Sequence, residues 1–389
     1  MKKNYILLLV LSVFGLAFAA TDGSLAESAG LSVTERIAAR DYPSVFQAWS
    51  PADNLPNKDR LAVMALHDLI WRGPGGFGLT WDKEPQGLAE AFTPESIEVG
   101  RKIRRDLLKL NPNIILIAEI RYRDAHPSFL PEGHRWWKRD KEDNLVKGWG
   151  EGGYICLDFA NPQFREHVAQ RARAAVQSGV VDGVLLDWWR DDEDRIALVK
   201  TVREAIGDKY LIITNTNEST APQSASYING YFMECTRSKT AADWDRIAAT
   251  LKWAEKNLCQ PRVNCVETWY HNSREDFNLM RATTTLALTH SDGYCLFSDP
   301  NPLPSGDHRH NWYPFWDKSL GKPVGKAAAR EDGTVVREFE NGSVVYNPMG
   351  NKLVEITFSE IRKSLATGTS LERHKLACPD GDIYLKTDP

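Results

Sequence analysis

The sequence predicts a (β/α)₈ TIM barrel followed by a small antiparallel β domain. Between residues 45 and 298, about eight short apolar runs alternate with amphipathic stretches, a pattern typical of parallel βα units. Eight is the number of strands that such a barrel requires. After residue 322 the helical patterns give way to closely spaced β runs. We therefore expect a barrel over residues 30–321 and a β domain over residues 322–389.

The first 20 residues are predicted to be a secretory signal peptide. Lys2 and Lys3 precede an apolar run that ends in an A-x-A-like cleavage site at residues 17–19. The run is short for a spanning helix, and no later segment reaches the roughly 18 apolar residues that one needs. We expect an exported protein (periplasmic, cell-surface or secreted) with no membrane span after cleavage, and an uncleaved anchor is the alternative.

The apolar runs are the predicted barrel strands, and the stretches between them are the predicted helices. Strands are expected at residues 45–49, 61–71, 114–122, 182–189, 210–216, 228–236, 263–270 and 293–298. Thr93 before Pro94 marks one helix start, because Thr caps helices and Pro suits the first helical position. Asn161 before Pro162 marks a second in the same way. Further helices are expected at residues 191–206, 241–258 and 273–288.

The C-terminal β domain is predicted from a hairpin pattern. Residues 334–339 and 343–346 are β runs on either side of Asn341-Gly342, a dipeptide that favours tight hairpin turns. Residues 353–358 add another strand.

Composition and missing motifs exclude several function classes. A formal net charge of −4 means that the chain has no excess of basic residues, which argues against nucleic acid as a partner. The chain has no GxSxG, GxGxxG or P-loop pattern, which argues against serine hydrolases and nucleotide enzymes, and no cofactor is expected. The six cysteines include no CxxC pair, and the sequence identifies no disulfide.

Four predicted strands end on an acidic residue: Glu119, Asp187, Glu234 and Glu267. A barrel brings the carboxyl ends of its strands to one rim, where catalytic residues of this fold lie. Glycoside hydrolysis needs two carboxyl groups, and several acids in one cleft separate their pKa values. Each acid could instead be a structural charge, and for Glu119 the nearby Arg121 makes a salt bridge the preferred interpretation.

The aromatic residues fit a carbohydrate cleft, because the C–H faces of sugars pack on such rings. The predicted substrate-binding residues are Trp49, Glu119, Trp189, Asn215, Trp269 and Tyr270. The alternative for about half of the tryptophans is ordinary core packing. Of the neighbouring Trp188 and Trp189, alternation along the strand favours Trp189 as the one facing the cleft, since it shares the parity of Asp187.

His308 and His310 flank Arg309 after the eighth predicted strand and suggest a metal-dependent hydrolase as an alternative. No set of further ligands with metal-like spacing accompanies them, so no metal site is predicted.

Three short motifs carry a resemblance to a known family. They are LDFANP at residues 157–162 with Arg165 after it, DGVLLD at 182–187, and INGYFME at 228–234. Over roughly residues 40–350 the chain resembles TIM-barrel glycoside hydrolases, above all hypothetical glycoside hydrolase family 15 and, more distantly, the polygalactosaminidase family 114.

The resemblance implies a catalytic pair. In better-understood relatives, the acid that ends the fourth strand and one on the sixth are catalytic, which implicates Asp187 and Glu234. The chain departs from the pattern because two tryptophans, rather than a further acid, follow Asp187. Glu267 is a rival partner, since many β-glycosidase barrels pair the fourth and seventh strands.

The expected function is that of an exported glycosidase that cleaves O-glycosidic bonds of a polysaccharide or oligosaccharide. Asp187 would act as nucleophile (or as base in an inverting enzyme) and Glu234 as general acid, with Glu267 assisting or replacing it. A non-catalytic carbohydrate-binding barrel is the main alternative. The sugar, the linkage and the oligomeric state are left open.

Overall fold

The computed structural model describes residues 30–269, 274–299 and 308–387, so the predicted signal peptide and Tyr270 lie outside the described residues. Eight parallel strands, in the order of the chain, form one sheet. They are β1 (Phe46–Ala48), β2 (Leu69–Arg72), β3 (Ile115–Glu119), β4 (Gly183–Leu186), β5 (Leu211–Asn215), β6 (Gly230–Cys235), β7 (Cys265–Thr268) and β8 (Tyr294–Phe297). A parallel bridge between Val45 and Cys295 brings β1 beside β8. The sheet is therefore a nearly closed barrel, which confirms the predicted fold class.

The described residues contain the five predicted helices and two further short ones. They are α1 (Val33–Ala39), α2 (Arg60–Met64), α3 (Pro94–Leu110), α4 (Pro162–Gln177), α5 (Glu193–Ile206), α6 (Ala241–Asn257) and α7 (Phe277–His290). The predicted second strand begins too early, because the Asp59 side chain caps α2 and only residues from Leu69 onward are extended. Between β5 and β6, where the sequence predicts no helix, the described chain forms a 3₁₀ turn, Ala225–Tyr227.

None of these helices is both long and apolar enough to cross a lipid bilayer, a finding that covers the described residues only.

Aromatic rings fill the interior of the barrel below its carboxyl rim. The ring centroids of Trp71 and Phe232 are 5.0 Å apart, and those of Phe46 and Phe232 are 5.8 Å apart. These rings come from β1, β2 and β6, and β6 neighbours neither β1 nor β2 in the sheet, so the contacts cross the barrel interior. Side chains alternate along a strand, and Glu234 therefore points to the same side as Phe232, one layer closer to the rim.

The C-terminal residues form a separate antiparallel sheet, as predicted. Its strands are β9 (Ala328–Ala329), β10 (Val335–Phe339), β11 (Gly342–Asn347), β12 (Val354–Ser364), β13 (Ser370–Leu376) and β14 (Asp380–Lys386), in the order β9-β10-β11-β14-β12-β13. Phe339 pairs with Gly342, which puts Glu340 and Asn341 at the tip of the predicted hairpin. The sheet covers α7, where Arg281 Nε bonds Asp380 Oδ1 at 2.8 Å.

A buried ion cluster lies at the amino end of β4. Asp182 Oδ1 is 2.5 Å from Arg36 Nη2 and 2.7 Å from Arg104 Nη2, and its Oδ2 accepts the Leu116 N–H at 2.9 Å. Burial by itself raises the pKa of Asp182, but Arg104 and Arg36 hold that pKa below its usual value. The carboxylate therefore ties α1 and α3 to the barrel at the end opposite the acidic rim.

Substitution of Asp182 tests this cluster. We expect Asp182→Ala to lower the free energy of unfolding by about 3–5 kcal/mol, because it leaves two arginines without their buried partner. Urea denaturation followed by circular dichroism measures the change. Asp106→Ala, which removes a carboxylate from the surface of α3, is the matched control and should leave stability nearly unchanged. Equal stabilities of the two variants would contradict the assignment.

Candidate active site

Two of the predicted acids are brought together at the rim by a third side chain. Asp187 directly follows β4, Glu234 lies near the end of β6, and Asn215 ends the intervening strand β5. The Asn215 Nδ2 donates to Asp187 Oδ1 and to Glu234 Oε2, each at 2.8 Å. Two such bonds from one nitrogen place the two oxygens no more than about 5.6 Å apart, twice the bond length. The carboxyl pair that the sequence predicts is therefore present as a geometric unit.

The orientation of the Asn215 amide is set by its neighbour Asn217. The Asn217 N–H donates to Asn215 Oδ1 at 3.1 Å, so the Asn215 NH₂ group faces the two carboxyl groups. Asn217 has a φ of 50° and its own Nδ2 donates to the Glu234 carbonyl oxygen at 2.8 Å. The turn after β5 thus ties the bridging amide to β6.

This geometry corrects the role predicted for Asn215. The sequence suggested a group that binds sugar hydroxyls, but the side chain is buried and bonds one carboxyl oxygen on each side. An amide nitrogen has two hydrogens, and both are engaged. Asn215 is therefore a positioning residue for the acid pair.

Glu234 is the acid suited to hold a proton. Burial raises its pKa to about 8; His308 opposes this rise, and the charges of Asp187 and Glu267 add to it. At neutral pH its carboxyl group is mostly protonated. A protonated carboxyl beside a second acid is the arrangement from which a general acid works.

Glu119, at the end of β3, is buried and forms the ion pair that its sequence neighbours suggest. Its Oε1 lies 3.0 Å from Arg121 Nε. Burial raises the pKa of Glu119 to about 7, against the opposing effect of Arg121, and the charge of Asp187 raises it further. Glu119 is thus electrostatically coupled to Asp187. Its contact with substrate stays a prediction.

Glu267 is the less accessible of the two candidate partners for Asp187. It lies beside Glu234 in the β6–β7 register and is fully buried. Its Oε1 accepts a hydrogen bond from Ser298 Oγ, and its Oε2 is 2.9 Å from His308 Nδ1. These contacts occupy the Glu267 carboxylate. The geometry therefore favours Glu234 as the partner of Asp187, with Glu267 as its neighbour on β7.

The two histidines considered as metal ligands are engaged elsewhere. His308 faces Glu267, and His310 Nε2 is 2.9 Å from His67 Nε2. In the part of the chain that the structure describes, no three His, Cys, Asp or Glu side chains are grouped so as to hold a metal ion. Sequence reasoning missed the contacts of His67 and His308, because their partners are far away in the chain.

The prediction for the two adjacent tryptophans is wrong. Trp189 is 5% exposed and its Nε1 donates to Ser224 Oγ at 3.1 Å, whereas Trp188 is 46% exposed. β4 ends at Leu186 and Trp188 has a φ of 54°, so strand alternation does not extend to these residues. Trp188 is consequently the exposed indole next to Asp187.

The other predicted aromatic residues line the rim. Trp49 is half-buried, and its ring meets that of Trp71 edge-on at 5.9 Å. Trp269 is 8% exposed and its ring lies 5.1 Å from that of His308. Their contact with sugar stays a prediction, and Tyr270 lies outside the described residues.

The parallel eight-stranded barrel with strand-end acids at one rim defines the class of TIM-barrel folds. Solved structures share this architecture. A maltogenic α-amylase from Thermotoga neapolitana aligns with a TM-score of 0.54 and 11% identity, over 88% of this chain and 98% of that one. An α-amylase from Lactobacillus plantarum aligns with a TM-score of 0.52 and 10% identity, over 92% and 100% of the two chains. At such identities the similarity concerns the fold.

The sequence comparison is more specific. Residues 192–343 match the model of hypothetical glycosyl hydrolase family 15, a range that includes Glu234 and Glu267 and begins just after Asp187. The predicted resemblance to this family is thereby confirmed for that part of the chain, and the comparison supports the predicted enzyme class, a glycosidase. The resemblance to family 114 stays a prediction. No curated protein sequence matches the chain.

The bridging amide can be tested without any substrate. Asn215 stabilises the charged form of Glu234 through its hydrogen bond, which lowers the pKa of that carboxyl. We therefore expect Asn215→Ala to raise the midpoint of the Glu234 titration above its value of about 8. Carbon-13 NMR of the labelled Glu234 carboxyl measures this midpoint. Asn257→Ala, at the end of α6, is the control and should leave it in place; a lowered midpoint in Asn215→Ala would refute the bridge.

Proposed function

We propose that the protein is an exported glycoside hydrolase that cleaves O-glycosidic bonds of a polysaccharide or oligosaccharide with net retention. The observation that carries this proposal is the pair Asp187 and Glu234 held by one amide. Retaining enzymes keep their two carboxyl groups about 5–5.5 Å apart, and inverting enzymes keep them about 6.5–9.5 Å apart to admit a water molecule. The limit of about 5.6 Å between the bridged oxygens favours the retaining class.

In the first step Glu234 acts as general acid and Asp187 as nucleophile. The Glu234 carboxyl gives its proton to the glycosidic oxygen, whose bond to the anomeric carbon breaks. A carboxylate oxygen of Asp187 bonds to that carbon on the opposite face, which yields a glycosyl ester. Because the pKa of Glu234 is raised to about 8, its carboxyl group carries this proton at neutral pH.

In the second step Glu234 acts as general base. Formation of the ester removes the negative charge of Asp187, which is one of the charges that raise the pKa of Glu234. The pKa of Glu234 therefore falls when the carboxyl has to accept a proton. Glu234 takes a proton from water, the water oxygen bonds to the anomeric carbon, and Asp187 leaves as a carboxylate.

A non-catalytic carbohydrate-binding barrel is the second candidate. The exposed Trp188 and the half-buried Trp49 suit sugar binding in either case. A binding protein has no need for an acid whose pKa is raised by burial, as that of Glu234 is, because burial of such a group costs free energy of folding. We therefore prefer the hydrolase.

Export rests on the sequence of the first 20 residues. Expression in a bacterial host followed by fractionation and N-terminal sequencing should find the mature chain outside the cytoplasm, beginning near residue 20. Retention in the cytoplasm with an intact N-terminus would overturn this part of the proposal.

Variants of the two acids test catalysis. We expect Asp187→Asn to lower kcat by several orders of magnitude and Glu234→Gln to lower it by about 10²–10⁴-fold on substrates with poor leaving groups. Hydrolysis of a glycan panel by the wild type identifies the substrate on which both variants are measured. Asp208→Asn, an exposed carboxylate after α5, is the control and should keep full activity. Undiminished hydrolysis by Asp187→Asn would rule out its role.

The pH profile and the product anomer test the mechanism. Because Glu234 must be protonated in the free enzyme, kcat/KM should fall as the pH rises through about 8. Proton NMR of the first product should show the anomeric configuration of the substrate. An inverted first product would assign Asp187 to the role of base instead of nucleophile.

A further inference from the structure

A basic cleft lies on the same rim, beside the ends of β1 and β2. It has a volume of about 400 Å³ and is lined by the turn from Ser50 to Pro56 together with Lys58, Arg60 and Arg309. β1, β2 and β8 face β4, β5 and β6 across the barrel, so the cleft opens opposite the acid pair.

The acid in this cleft is already neutralised. Asp53 Oδ1 is 2.5 Å from Arg274 Nη1, and Asp53 Oδ2 is 2.8 Å from Arg309 Nη2. Among the described residues no carboxylate forms an ion pair with Lys58 or Arg60. The described side chains that line the cleft therefore carry a net positive charge.

Arg72, at the end of β2, is a further cation that lies near Arg60 but outside the residues that line the cleft. Its Nε and Nη1 are buried, and neither has a hydrogen-bond partner in the described part of the chain. Its side chain lies flat against the backbone at Gly76, where an added Cβ would be 1.8 Å from Nε. Burial lowers the pKa of Arg72 to about 10, and the nearby Arg60 adds to this effect. Buried charges in proteins are normally paired, so a guanidinium with two buried nitrogens that have no partner among the described residues is suited to bind an anion of a ligand.

Aromatic contacts connect the basic cleft with the acid pair. Trp49 lies over Gly73, directly after Arg72, and meets Trp71 edge-on. Trp71 in turn contacts Phe232, two residues before Glu234 on β6. Trp71 and Phe232 are buried, so the half-buried Trp49 is the ring of this series that a sugar chain bound across the barrel mouth would contact, beside the cations.

We propose that the basic cleft, together with Arg72, is a subsite for an anionic group of the substrate, so that the enzyme acts on an acidic glycan. The anion is the carboxylate of a hexuronate or a sulfate ester, because a guanidinium pairs with the two oxygens of either group. This inference rests on the proposed function in so far as it calls the glycan a substrate. Binding of the anion itself does not depend on catalysis.

Binding to the inactive Asp187→Asn chain tests the subsite separately from hydrolysis. The probes are polygalacturonate with its carboxyl-reduced form, and carrageenan with its desulfated form, measured by isothermal titration calorimetry. At least one charged polymer should bind about tenfold or more tightly than its neutral counterpart, with an affinity that falls as salt rises. The pair that shows this difference identifies the anion as carboxylate or sulfate.

Second substitutions in the Asp187→Asn chain test which residues bind the anionic group. Arg60→Gln and Arg72→Gln should each weaken binding of the charged polymer about tenfold and leave binding of the neutral one unchanged. Arg60 is exposed, so its variant keeps the fold even if the Arg72 variant does not. Arg105→Gln, an exposed arginine of α3 with the same change in charge, is the matched control and should have no effect.

The outcomes separate the two proposals. Charged and neutral polymers that bind equally, charged polymers that both fail to bind, or variants at Arg60 and Arg72 that bind like the control would overturn the anionic subsite. Charge-dependent binding that is lost in these variants supports the subsite, even if the wild type cleaves no glycan and the proposed hydrolysis fails.

Discussion

The candidate site depends on one amide group that holds two carboxyl groups in a shared pocket. Burial raises the pKa of Glu234, and the negative charge of Asp187 adds to this rise, so that the pair holds one proton at neutral pH. The Asn215 NH₂ group gives a hydrogen bond to each acid, which keeps them near without direct contact. The separation and orientation of the pair follow from this interaction. The nucleophile and the acid proposed for hydrolysis are therefore one unit.

The barrel supplies the rigid frame that the amide needs. Parallel pairing of β4 with β5 and of β5 with β6 puts Asp187, Asn215 and Glu234 at one rim. Aromatic rings in tilted and edge-on contact fill the interior below them, and the Asp182 ion cluster ties helices to the opposite end. The C-terminal sheet covers α7, which lies behind β7 and β8. Loops at the carboxyl rim can then differ in charge, as the basic cleft does, without disturbing the acids.

Much of the fold and part of the site could be predicted from local pattern. The apolar runs mark the strands because strands buried on both faces need continuous apolar residues, and acids at their ends converge by the geometry of the barrel. The roles of Asn215, Trp188 and Trp189 could not be read in this way. Asn215 acts through bonds to two other strands, and the positive φ of Trp188 ends the alternation on which the choice of Trp189 rested.

The sequence by itself determined the architecture and the candidate acids, because periodicity and strand ends are local properties of the chain. Only the tertiary structure decided which acids form a pair, since the choice between Glu234 and Glu267 depends on contacts with Asn215, Ser298 and His308. The same holds for Arg72, which looks ordinary in the sequence. Among the described residues its Nε and Nη1 have no hydrogen-bond partner, which only the tertiary structure shows, because pairing of charges is a property of the folded surroundings.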